Sequence, residues 1–216
     1  LEHRVGGLEK DQVTGNVSYV PENHEYMTHV RAEKVKRVQN NIPELEPEYN
    51  KEGDLLVVGW GGTYGSLHSA VRKLASQGYK IGHAHFNYIN PLPRNTEEVL
   101  GKFKKVIVCE LNKGQLVSVL RSNFNDKDLL QYNKVMGLPF SVTDLVKKFK
   151  NILDEVSNIA KDQSQGIHEV TDSLTSIEEG AQNNAAISEE SAAASEQLSA
   201  QSNQMLEIVS QLRNMI

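Results

Sequence analysis

The residue types that could carry chemistry cluster around three short stretches. The first is "DLLVVGWGGTYGSLHSAV", residues 54 to 71, a glycine-rich turn between an apolar run and a helix-forming run. Such a turn cradles phosphates when its backbone amides open onto a helix N-terminus. Gly59, Gly61 and Gly65 are spaced one residue wider than G-x-G-x-x-G, and no P-loop lysine follows. A ribose-binding acid is expected at the end of the next strand, but "HAHFNYIN" holds neither Asp nor Glu. The expected role is a structural turn, with positive φ and close packing of strand on helix. A cofactor-binding role, or a site completed by a partner subunit, would fall on Gly61, Gly62, Thr63 and Tyr64. The second stretch holds His83 and His85, which alternate on one strand and share a face as a metal pair would. Two ligands do not make a site, so no metal is expected. The third holds Cys109 in an apolar strand, expected to be a small buried hydrophobe. No catalytic residue is expected.

Other polar residues read as contacts. Tyr64 and Asn90 stand near the C-terminal ends of strands, where clefts form in open α/β sheets. Asn112, Lys113 and Gln115 follow the third strand and suit subunit contacts. His24, Arg31 and Lys34 lie on a polar helix, as a solvated face or as partner contacts.

The elements that must position these residues are legible from periodicity. "PENHEYMTHVRAEKVKRV" predicts a helix, and Pro43 and Pro47 make "NNIPELEPEYN" an extended linker. "DLLVVGW" is a continuous β-rich run, as for a strand covered on both faces. "SLHSAVRKLASQG" places Leu67, Val71 and Leu74 at helical spacing and ends at Gly78. "YKIGHAHF", "KKVIVCEL" and "LLQYNKV" predict three further strands; "TEEVLGKF", "GQLVSVLRSNF" and "SVTDLVKKF" predict helices, the last capped by Ser141 or Thr143. This alternation predicts an α/β fold, a small parallel sheet flanked by helices.

Composition then divides the chain. Of 23 basic and 28 acidic residues, 2 and 11 lie beyond residue 150, giving net −9 there and net +4 before it. All 6 Pro, the Trp, the 7 Tyr and the 5 Phe precede residue 151. The expected organisation is 1–50, a polar helix and proline-containing linker; 51–149, the α/β domain; and 150–216, one long helix. A single cysteine excludes disulfides, zinc clusters and iron–sulfur ligation by this chain alone, and a reducing, cytoplasmic setting is expected. No apolar run approaches the roughly 20 residues needed to cross a bilayer. Neither membrane nor nucleic acid is expected as a partner. With Leu1 in place of Met, a fragment or a processed product is expected.

The motifs "PENHEYMTHVRAEKV", "DLLVVGWGGTYG", "HAHFNYINPLPRNTEEVL", "VIVCELNKGQL" and "NKVMGLPFSVTDL" resemble the end of the α subunit of 2-oxoacid:ferredoxin oxidoreductases, the 2-oxoglutarate type most nearly. The resemblance covers residues 1–149. It implies a transketolase-C-terminal-like domain, domain II of that family. The complete enzyme uses thiamine diphosphate to decarboxylate a 2-oxo acid, passes electrons through iron–sulfur clusters to ferredoxin, and delivers the acyl group to coenzyme A. Thiamine is held there by other α-subunit domains and the β subunit. The implied role of this chain is a scaffold that binds none of these cofactors and is inactive alone.

From Leu153 the a/d heptad positions run through Val156, Ala160, Gln163, Ile167, Val170, Leu174 and Ile177 to Ala181. They continue by Asn184, Ser188, Ser191, Ser195, Leu198, Ser202, Met205, Val209 and Leu212 to Ile216. This predicts a coiled-coil helix of about 100 Å that needs partner helices, because its middle a/d positions are small or polar. "GIHEVTDSLTSIEEGAQNNAAISEESAAASEQLSAQSNQML" resembles the C-terminal arm of the cytoplasmic hairpin of methyl-accepting chemotaxis proteins. There, modified glutamates are the second of an acid or amide pair flanked by small pairs. Ala185, Ala186, Glu189, Glu190, Ala193 and Ala194 match, which makes Glu190 the methylation candidate. Gln197 repeats the position one heptad on, but Gln201 breaks the next small pair. Implied partners are receptor helices and a methyltransferase. Each esterification would remove one negative charge, worth tenths of a kcal/mol to about a few kcal/mol. A chemotaxis signalling protein whose methylatable arm is the working element is the competing reading.

Overall fold

A computed structural model describes residues 6–213 of the chain, which divides into two units, Leu1–Ser157 and Asn158–Ile216. The first unit opens with α1 (Pro21–Val38), over the residues expected. β1 (Glu48–Tyr49), β2 (Gly53–Trp60), α2 (Tyr64–Ala75), β3 (Ile81–Phe86), α3 (Thr96–Gly101), β4 (Phe103–Glu110), α4 (Gln115–Asn123) and β5 (Leu129–Asn133) follow. α5 runs from Val142 to Arg213 and so belongs to both units. Ser141 caps it, its Oγ accepting the Asp144 N–H at 3.3 Å.

The sheet order is β1-β3-β2-β4-β5. All pairings are parallel except β1 with β3, which places Glu48 opposite His83 and Tyr49 opposite Gly82. β1 adds a two-residue antiparallel edge strand within the segment expected as an extended linker, beside the expected parallel strands. Two residues are too few to show a period of two, and the flanking prolines mask the pairing. Tyr49 has φ of +68°, rare for a side chain other than Gly, Asn or Asp.

Alternation along the central strands builds a core on each face. Leu56 and Val58 of β2 join Val106 and Val108 of β4 beneath α3 and α4. Leu55 and Val57 join Ile107 and Cys109 beneath α2 and the first turns of α5. From α5 itself Leu145, Phe149, Ile152, Leu153 and Val156 are buried. The core thus extends past the expected boundary at residue 149. Within the second unit the described residues are helical, and Ile167, Val170, Leu174, Ile177, Leu198, Met205 and Val209 are exposed. Ile216 and the side chain of Leu212 lie outside the described residues. No described helix is long and apolar enough to cross a membrane.

The helix residues His24 and Arg31 do a local job. Glu9 accepts from both Arg31 Nη atoms at 3.0 Å and sits 2.7 Å from His24 Nδ1, fastening the preceding segment to α1. Lys34 is exposed. The Arg31 guanidinium, foremost, holds the Glu9 carboxyl at about 2, against an ordinary value of 4.5. A depressed carboxylate pKa stabilises above the unfolded value and loses that contribution as pH falls. Residues 6–18 are therefore expected to loosen between about pH 4.5 and 2, ahead of the sheet. Limited pepsin digestion across that range checks this, with Glu9→Gln showing the loose pattern already at the upper end.

Candidate functional site

In a doubly wound sheet the crevice for a ligand opens where neighbouring strands send their helices to opposite faces. Here that point lies between β2, followed by α2, and β4, followed by α4. It is filled from within. Trp60 Nε1 donates to Glu110 Oε1 at 3.0 Å across the gap. The Glu110 carboxylate is fully buried and also accepts the backbone N–H groups of Leu116 (2.7 Å) and Val117 (3.1 Å) in the first turn of α4. A side chain thus takes the place at the helix N-terminus that a ligand anion would otherwise hold. Only a 140 Å³ hollow remains, edged by Trp60, Gly61, Gly62, Thr63, Leu111 and Asn112.

The glycine turn behaves as a structural element. Gly61 has φ of +56°, and a Cβ on Gly59 would meet Leu67 and lie 2.6 Å from Thr63 Oγ1. Thr63 Oγ1 accepts from Trp60 N–H at 3.1 Å and donates to Trp60 O at 2.9 Å, so its one hydrogen is spent inside the turn. Asn112 organises the next turn: its Oδ1 accepts from Gly114 N–H (2.7 Å) and Gln115 N–H (3.0 Å), with Gly114 at φ +98°. Lys113 and Gln115 are exposed beside it. Asn90 borders a separate hollow of 840 Å³, with Pro91, Phe124 and Lys36. Cys109 is buried, and burial drives its thiol pKa up, which makes it an inert hydrophobe.

A polar cluster lies at the β1 edge of the sheet. Glu48 from β1 receives Tyr64 OH on Oε1 at 2.8 Å, and its Oε2 is 3.0 Å from both His68 Nδ1 and His83 Nδ1. Tyr49 OH meets His68 Nε2 at 2.9 Å. His85 lies on the same face of β3, its ring centroid 6.0 Å from that of His83 and 5.1 Å from that of Tyr64. The cluster borders a hollow of 350 Å³ formed by Glu46, Glu48, Tyr64, His85 and Asn87. Burial would raise the Glu48 pKa, but hydrogen bonds from His68, His83 and Tyr64 outweigh it and hold the carboxyl at about 2. Burial lowers the pKa of both His83 and His85, opposed only in part by Glu48. The same carboxylate raises the Tyr64 pKa. The site is therefore an ionised carboxylate holding two imidazoles. Sequence reading found His83, His85 and Tyr64 but paired the histidines with each other. Glu48 and His68 went unnoticed, since Glu48 sat in the expected linker and His68 on a helix face read for its leucines.

Comparison with known proteins bears on the first unit. Residues 53–145 match the model of the pyruvate:ferredoxin oxidoreductase core domain II. Over 146 residues the chain is 40% identical to the 2-oxoglutarate oxidoreductase subunit KorA of Mycobacterium tuberculosis, covering 67% of this chain and 22% of that protein. It is 25% identical over 150 residues to the 2-oxoglutarate synthase subunit KorA of Methanothermobacter marburgensis, covering 62% of this chain and 40% of the other. Among solved structures, the 2-oxoglutarate:ferredoxin oxidoreductase from Magnetococcus marinus, with 2-oxoglutarate, coenzyme A and succinyl-CoA bound, superposes with a TM-score of 0.64. That match has 30% identity and covers 70% of this chain and 27% of the other. The chain thus spans only about a fifth to two fifths of the curated relatives' length.

Proposed function

We propose that the first unit is the closing, non-catalytic domain of a 2-oxoacid:ferredoxin oxidoreductase α subunit of the 2-oxoglutarate type. In this role it supports oxidative decarboxylation to an acyl-CoA when assembled with the other α-subunit domains and the β subunit. The observation that carries the reading is the likeness to KorA subunits over a unit whose ligand crevice is closed by its own Trp60 and Glu110. The cofactors of such a complex are proposed to lie outside this chain. An iron–sulfur cluster needs several thiolates, and the one cysteine is buried in β4. The Thr63 hydroxyl hydrogen is committed within its turn, and thiamine diphosphate and coenzyme A are proposed to be held by the rest of the assembly. A cytoplasmic setting goes with this role.

The test is affinity purification of the native protein from cell extract, with assay of 2-oxoglutarate- and coenzyme A-dependent ferredoxin reduction. A co-purifying β subunit with that activity is expected, and none from the isolated chain. Recovery with receptor arms and the histidine kinase, without oxidoreductase subunits, would overturn the reading.

The second unit is proposed as a chemoreceptor-type arm fused to this domain, with Glu190 its methylation site and Gln197 a second site after deamidation. In its favour, Glu190 and Gln197 are exposed on the helix and the apolar a/d residues stand unpartnered. If the arm is the working element, the protein belongs to chemotaxis signal transduction, and the α/β unit is an appendage. Mass spectrometry of native protein for a methyl ester at Glu190, absent from Glu190→Ala, separates the two.

A further inference from the structure

We propose that Glu48, His68 and His83 are the protein ligands of a divalent transition-metal ion of the zinc type. Glu48 Oε2, His68 Nδ1 and His83 Nδ1 come from β1, α2 and β3, and all lie within 4.8 Å of one another. Two imidazoles and a carboxylate suit zinc and its neighbours, whereas magnesium and calcium prefer oxygen alone. The outer atoms of two ligands are already held. Tyr64 OH fixes Glu48 Oε1 at 2.8 Å, and Tyr49 OH stands 2.9 Å from His68 Nε2. Outer hydrogen bonds of this kind orient metal ligands. The 350 Å³ hollow beside Glu48, Tyr64 and His85 provides room for a fourth ligand.

Hydrogen bonding alone accounts poorly for the arrangement. Both rings crowd onto one carboxylate oxygen. Tyr49, whose hydroxyl meets His68, also has a left-handed backbone. Coordination through Nδ1 places each ring proton on Nε2, a tautomer change that releases no proton, and Tyr49 oxygen stands ready to accept that of His68. The ion would clasp the antiparallel edge strand to β3 and α2.

The experiment is titration of the full chain with Co2+ and then Zn2+ after removal of metals by chelator. One Co2+ per chain is expected, with the visible d–d bands of a low-coordinate site, displaced by Zn2+. Zn2+ at a hundredfold excess over Kd should raise Tm by roughly 5–10 °C. His68→Ala and Glu48→Gln should lose bands and Tm shift alike, while His29→Ala on α1 keeps both. Tyr49→Phe should weaken Co2+ binding by roughly tenfold. Absence of the bands and shift in the natural sequence, or their persistence in both folded ligand variants, would overturn the proposal.

Discussion

Glu110→Ala should destabilise the first unit by about 3–5 kcal/mol, because it strands several buried donors at once. The carboxylate accepts the N–H groups of Leu116 and Val117, the Trp60 indole N–H and, at 3.2 Å, the Asn112 amide. In the folded chain water reaches neither backbone donor, so each keeps its desolvation cost. The anion also faces the positive end of α4, an interaction that neutral replacements forfeit. Glu110→Gln keeps an acceptor oxygen but turns an NH2 toward donors, and should cost about 1–3 kcal/mol. Urea unfolding followed by Trp60 fluorescence checks both: the midpoint should fall with the slope unchanged. A domain of this size holds only about 5–15 kcal/mol in all, so Glu110→Ala should approach the limit of folding. An alanine variant as stable as the natural sequence would mean that the crevice admits water freely.

Phe149→Ala should cost about 3–5 kcal/mol, while Leu174→Ala on the same helix should change stability by no more than about 0.5 kcal/mol. Both are large apolar residues at helix positions. Phe149 is fully buried with Ile152 and Leu153 in the core against β2 and β4, whereas Leu174 is 56% exposed. Truncating the first opens a cavity lined by Leu145 and its neighbours; truncating the second removes surface already in water. Thermal unfolding of the two variants monitored at Trp60 makes the comparison. Equal effects would show that the second unit shares a cooperative core with the sheet.

Most of the scaffold could be read before any coordinates. β2 and β4 announce themselves as continuous apolar runs, because strands covered on both faces need no polar alternation. α2 shows its buried stripe of Leu67, Val71 and Leu74. The edge strand could not be read so, since Glu48 and Tyr49 carry no period and lie just past Pro47. The polar cluster followed it into obscurity. Glu48, His68 and His83 are far apart in sequence and meet only through the antiparallel register of β1 on β3. The place of Glu110 was equally hidden: an acid ending an apolar strand reads as exposed until the next helix is laid across it. The boundary fell short at residue 149 for a related reason. Leu153 and Val156 satisfy the heptad pattern and also the core of the sheet, and sequence alone cannot divide one stripe between two neighbours.

Hydrogen exchange of the purified, monomeric chain, resolved by peptide mass spectrometry, tests the division of labour most directly. Slow exchange is expected in β2, β3, β4 and the start of α5, with exchange faster by orders of magnitude beyond about Glu178, where a helix without partners frays. Uniformly slow exchange from Leu145 through Ser202 in the monomer would contradict it.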